Sequence, residues 1–146
     1  MAGNKFTVTI TPSVASVEKK LKELEPKIAK KIVRDSLKAG AKPVLAAAQA
    51  KVPVKSGLLR RNIKIRAGKR SRAGQSVVVG FKDGAFKGDA FYGAFIEWGH
   101  QAGKGANAKT VPAQPFLRPA IDEQEERAAK IIIDGIWAGI SKEFVK

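Results

Sequence analysis

Three features of the sequence invite a chemical reading. They are a lone imidazole at His100, a carboxylate at Glu97, and a glycine-rich run from Gly99 to Gly105 that carries Lys104. His100 is the only histidine, so no triad has a spare and no metal site can use two imidazoles. The absence of cysteine removes thiolate metal sites, thiol nucleophiles and disulfides. Glu97 and His100 together would suit a hydrolase, but no second acid lies near Glu97 in sequence to complete an acid/base pair. The plainer reading pairs Glu97 with a nearby arginine such as Arg118, and leaves His100 as a solvated loop residue. The glycine run fails as a phosphate loop. Its spacing is one residue short, no Ser or Thr follows Lys104, and no helical pattern comes after it. No residue is therefore assigned a catalytic, metal-binding or cofactor-binding role.

Charge is the dominant compositional fact. The chain carries 28 Lys and Arg against 13 Asp and Glu, a net +15. Such a surplus attracts nucleic acid, anionic membranes or acidic protein surfaces. Nine basic residues lie between Lys51 and Arg72 without an intervening acid, and Arg60, Arg61, Lys69, Arg70 and Arg72 are the candidate basic surface. Asp122, Glu123, Glu125 and Glu126 form the opposite cluster. Opposite signs at separate places let copies attract one another head to tail. No stacking aromatics are interleaved with the cations, which favours solvent or an acidic protein over nucleic acid around the Lys69–Arg72 turn. No apolar stretch approaches the roughly 20 residues that span a bilayer. Met1 to Lys5 lacks the pattern of a secretory signal, so a soluble protein made in the cytoplasm is expected.

The elements that must hold these residues follow from periodicity. Phe6 to Ile10 alternates as a strand does, and Ser13 suits a cap for a helix with Val14, Val17, Leu21 and Leu24 on one face. Pro26 suits the first turn of a long helix whose apolar stripe runs through Ala29, Val33, Leu37, Ala41, Val44 and Ala48. Pro43 predicts a kink or restart inside it. A short turn at Leu58–Arg61 leads into a hairpin of Asn62–Arg66 with Ser76–Phe81. Phe91 to Trp98 reads as a short helix or a strand. Residues 99–111 carry little to bury and read as a flexible arm. Three prolines make 112–119 extended. A last helix starts near Pro119, with Asp122 and Glu123 near its positive end and an apolar face at Ile121, Ala128, Ile132, Ile136 and Ile140. The fold class is α+β, one domain over 1–146: a small, mostly antiparallel sheet flanked by a long kinked N-terminal helix and a C-terminal helix.

Three segments carry a further signal. They are Pro53-Val54-Lys55-Ser56-Gly57-Leu58-Leu59-Arg60-Arg61-Asn62-Ile63, then Tyr92-Gly93-Ala94-Phe95-Ile96-Glu97-Trp98-Gly99, then Pro112-Ala113-Gln114-Pro115-Phe116-Leu117-Arg118-Pro119-Ala120. In this order and spacing they resemble the tail-completion, or minor tail gpZ-like, neck proteins of long-tailed bacteriophages, over roughly residues 25 to 140. His100 departs from the small hydroxyl residue usual there, and the glycine-rich link after it is longer.

The resemblance implies a non-enzymatic structural subunit of the head–tail connector. It implies a homo-oligomeric ring, a hexamer by analogy, that joins tail to head and lets DNA through its lumen. Neighbouring partners would be the head-completion or stopper protein, the tail terminator and the tail tube. No cofactor, membrane or small-molecule substrate is implied, and the protein would reside in the virion after assembly in the host cytoplasm. Ser56, Gly57, Tyr92, Phe95, Glu97, Trp98, Gly99, Pro115, Phe116, Leu117, Arg118 and Pro119 are the structural and interface motif. Gly57 and Gly99 suit sharp reversals. Phe116-Leu117, stiffened by flanking prolines, suits an apolar plug beneath Tyr92, Phe95 and Trp98. The alternative reading of the charge is a basic nucleic-acid-binding protein of a mobile element.

Overall fold

The computed structural model describes residues 14–53, 57–69, 74–81 and 92–145. The expected strand at Phe6–Ile10 and the Ser13 cap lie outside these residues, as do Ser56, Arg70, Arg72 and Phe91. The architecture is α+β, with five α-helices and two antiparallel hairpins among the described residues.

Helix α1 (Val14–Lys22) precedes the long helix α2 (Pro26–Lys51). Pro26 opens α2, where a missing N–H costs nothing. The helix then runs on through Pro43 without a restart. After it come α3 (Leu58–Asn62), strand β1 (Ile63–Ala67) and strand β2 (Val77–Phe81). The two strands pair antiparallel from Ile63↔Phe81 to Ala67↔Val77. The ambiguous aromatic segment is helical, α4 (Gly93–Trp98). Beyond it, the segment expected as a flexible arm carries a hairpin. Strand β3 (His100–Ala102) pairs with β4 (Lys109–Val111) across a 3-10 turn at Gly105–Asn107. Helix α5 (Leu117–Phe144) closes the chain. It starts before Pro119, so Asp122 and Glu123 fall beyond its first turn and do not neutralise its N-terminal dipole as expected.

Helices α2 and α5 form the main packing surface and run antiparallel. Ser36 of α2 faces Gly135, Gly40 faces Ile132, and Ile32 faces Gly139. The approach is close enough that a Cβ on Gly40 would lie 2.4 Å from Ile132 Cγ1 and 2.9 Å from the Ala128 carbonyl oxygen. The buried row of α2 is therefore Ser36, Gly40, Val44 and Ala48, small side chains at four-residue spacing. Two apolar clusters flank this seam. One gathers Val17 of α1 with Ile133, Ile136 and Ile140 of α5. The other gathers Ala48, Val52, Leu59, Ile63, Phe81, Ala94, Phe116 and Ala120, and so ties α2, both strands of the first hairpin, α4 and the start of α5 together.

Candidate assembly site

Helix α4 is six residues long and has two unlike faces. Gly93, Ala94 and Glu97 are buried, while Phe95 is 37% and Trp98 50% exposed. The inward face is tight: a Cβ on Gly93 would come within 2.5 Å of the Phe81 ring and 2.6 Å of Leu59 Cδ1. Tyr92, half-buried, packs against the same cluster.

Glu97 is 5% exposed, and its carboxylate holds the start of α5. Oε2 accepts from the backbone N–H of Phe116 at 2.7 Å and of Leu117 at 2.9 Å, and Oε1 accepts from that of Arg118 at 3.1 Å. The first N–H groups of a helix have no partner within it, and the helix dipole favours negative charge there. Phe116 occupies the capping position and has no side-chain acceptor of its own. Glu97 supplies the cap from nineteen residues upstream. This corrects the expected Glu97–Arg118 ion pair. The Arg118 guanidinium is exposed and turns instead to Asp122, at 4.0 Å. A carboxylate committed to three backbone donors has little capacity left to act as a base.

Phe116 is fully buried and meets Phe81 edge-on, ring centroids 6.0 Å apart. It fills this subunit's own core. Its ring contact is with Phe81, in one cluster with Leu59 and Ile63 against which Tyr92 packs, while Phe95 and Trp98 stand exposed on α4. Leu117 and Pro119 are half-buried, whereas Pro115 is exposed. The Gln114 N–H bonds to the Ile96 carbonyl at 2.8 Å, which holds the proline-rich segment along α4.

Gly99 joins α4 to β3 with φ +73°, and a Cβ there would lie 2.8 Å from the Val111 carbonyl oxygen. Only glycine suits both conditions. The His100 ring meets Phe95 edge-on at 5.2 Å, and its Nδ1 is buried without a hydrogen-bond partner among the described residues. Across the hairpin His100 is opposite Val111, itself 36% exposed. Phe95, Trp98 and the His100–Val111 pair thus form an apolar face at the base of a largely exposed hairpin. Its tip residues, 101 to 107, are all exposed.

The basic candidates divide. Arg60 is tethered, its Nε donating to the Gln49 carbonyl at 2.7 Å while Gln49 reaches back to Ile63 at 3.4 Å. Gly57, at φ +76°, turns the chain into α3 just before it. Arg61 and Lys69 are exposed. On the acidic side, Glu123 of α5 meets Lys51 of α2 at 2.7 Å. The hydrogen bond and charge of Lys51 hold the Glu123 carboxyl below its ordinary value. Among the described residues no group of three or more His, Asp or Glu could hold a metal ion, and no helix is long and apolar enough to cross a membrane.

Residues 15–99, more than half of the chain, match the HK97-gp10-like family, described as "Bacteriophage HK97-gp10, putative tail-component". The chain belongs to this family: it is a phage tail component, a structural protein of the virion that works with other phage structural proteins. Comparisons with curated proteins and with solved structures return no match. The matched segment ends at Gly99, so the β3–β4 hairpin and α5 lie beyond it.

Proposed function

We propose that this tail component is a non-enzymatic subunit of a homo-oligomeric ring at the head–tail junction, with a lumen through which the genome passes. The observation that carries the reading is the outward face of α4. Phe95 and Trp98 stand 37% and 50% exposed three residues apart on one short helix, beside exposed Val111. Large aromatics set in water on a rigid element supply the apolar centre that protein interfaces need. The adjoining hairpin projects largely exposed, the usual disposition of an element that a neighbour completes.

The occupant proposed for this face is a second copy of the chain. The acidic run on α5 and the exposed cations around α3 and β1 offer opposite charges at separate places on one molecule, which suits head-to-tail contacts that close into a ring. Six copies, the number that the neck-protein resemblance implies, are proposed. Light scattering with averaged electron micrographs of the purified protein tests the proposal. A closed ring of defined mass supports it. A monomer at every concentration and ionic strength, with tail proteins present or absent, counts against it.

A further inference from the structure

The outer face of α2 carries charge without any structural use. Between positions 27 and 42 its exposed residues are Lys27, Lys30, Lys31, Arg34, Lys38 and Lys42, with Asp35 the one acid and no exposed apolar side chain among them. Spacings of three and four put Lys27, Lys31, Arg34, Lys38 and Lys42 on one side, opposite the Ser36–Gly40–Val44 seam. From end to end the row extends about 22 Å, at 1.5 Å per helical residue. None of these six cations has an ion-pair partner among the described residues. Like charges four apart weaken a helix by a few tenths of a kcal/mol per pair, so the row opposes the fold that displays it. The Gln75 amide donates to the Lys30 carbonyl at 2.8 Å. That bond sets the turn end of the β1–β2 hairpin, with Lys69, beside the same half of α2.

Of the partners that could neutralise such a row, an acidic protein and a phosphate backbone are told apart by its composition. Protein interfaces are centred on apolar and aromatic side chains and are depleted in lysine. This face has no apolar centre, and five of its six cations are lysines. A phosphate backbone asks for the reverse: a line of flexible point charges, with no pocket and no base-reading groups. Duplex DNA offers one negative charge per roughly 1.7 Å of axis, a line long enough to engage the whole row.

We propose that the outer face of α2 binds the phosphate backbone of double-stranded DNA without sequence preference. The binding stands on the residues above. Its place in the particle, with α2 turned toward the lumen, rests on the ring reading.

The test is fluorescence anisotropy with a 20-base-pair duplex across a salt series, run on the full chain, with mass followed by light scattering. The variant is Lys31→Gln, Arg34→Gln, Lys38→Gln and Lys42→Gln together; glutamine keeps the helix propensity. Arg61→Gln, Lys64→Gln and Arg66→Gln on α3 and β1 form the control. Each phosphate contact contributes about −0.9 to the slope of log K against log salt, so loss of all four contacts in the α2 variant should flatten that slope by about 3.6. Its affinity at 100 mM salt should fall at least about tenfold, with mass and helicity unchanged. A slope and affinity equal to the parent's would overturn the proposal. So would a larger loss from the control, or lost assembly with DNA affinity intact, which would make the face a protein contact. Should the parent chain prove monomeric while the α2 variant still loses DNA, this inference stands and the ring reading fails.

Discussion

The two faces of α4 answer different demands with neighbouring residues. Its inner face holds Ala94 and Glu97, which pack and cap the start of α5 so closely that Glu97 is 5% and Ala94 1% exposed. Its outer face holds Phe95 and Trp98, which leave a third to a half of their surfaces in water. Burial makes the inner residues indispensable to this subunit alone. Exposure leaves part of each outer side chain available to a neighbour. On the proposed ring reading, folding and assembly fall on opposite sides of one helical turn, and substitutions on the two sides should separate stability from association.

The largest effect is expected from Phe116→Ala, which empties the position the inner face encloses. Truncating an aromatic in a core costs about 3–5 kcal/mol, a large part of a domain's typical stability. Urea unfolding reads it directly. A variant with full monomer stability and no assembly would place Phe116 in a neighbour's interface and dissolve the distinction between the two faces.

Glu97→Gln should come next. The amide keeps one acceptor oxygen but turns an NH2 toward backbone donors, which leaves buried N–H groups unpaired at about 1–3 kcal/mol. Arg118→Gln removes an exposed side chain and should cost less than about 0.5 kcal/mol. Because Glu97 holds the Arg118 backbone and not its guanidinium, the double variant should lose the sum of the two. A coupling above about 0.5 kcal/mol in the cycle would restore a charge pair between them.

The smallest effect belongs to the Lys51–Glu123 pair, which also joins α2 to the first part of α5. Lys51 lowers the folded-state pKa of Glu123 below that of the unfolded chain. The associated stability is therefore present above the carboxylate range and is lost as pH falls through it. Glu123→Gln should differ slightly from the parent at neutral pH and converge with it on acidification, in thermal unfolding at low salt. A difference that grows in acid would contradict the assignment.

Much of this fold is legible in the sequence, and the failures share a cause. The long helix, the hairpin of residues 63–81 and the terminal helix follow from period and punctuation. The α2 seam does not. Apolar pattern selects Ala29, Val33 and Leu37, whereas the buried row runs through Ser36 and Gly40 because α5 comes too close for larger side chains. A recurrence of small residues every four positions was the available signal. The partner of Glu97 was not legible either, since backbone N–H groups leave no trace in residue types, and Arg118 drew attention only because it is charged. The hairpin at 100–111 is one pair of three-residue strands in glycine-rich sequence, below what alternation can reveal. The α2 cations were visible all along at helical spacing. In linear order the denser run from Lys51 to Arg72 outweighs them.

The most direct test of the division between the faces is the mass of the purified chain beside that of a Phe95→Ser, Trp98→Ser variant, by light scattering at matched concentration. Both side chains are partly exposed, so the variant should unfold within about 1 kcal/mol of the parent. The account predicts a parent that assembles and a variant that stays folded as a monomer. A folded variant that assembles to the same mass as its parent would contradict it.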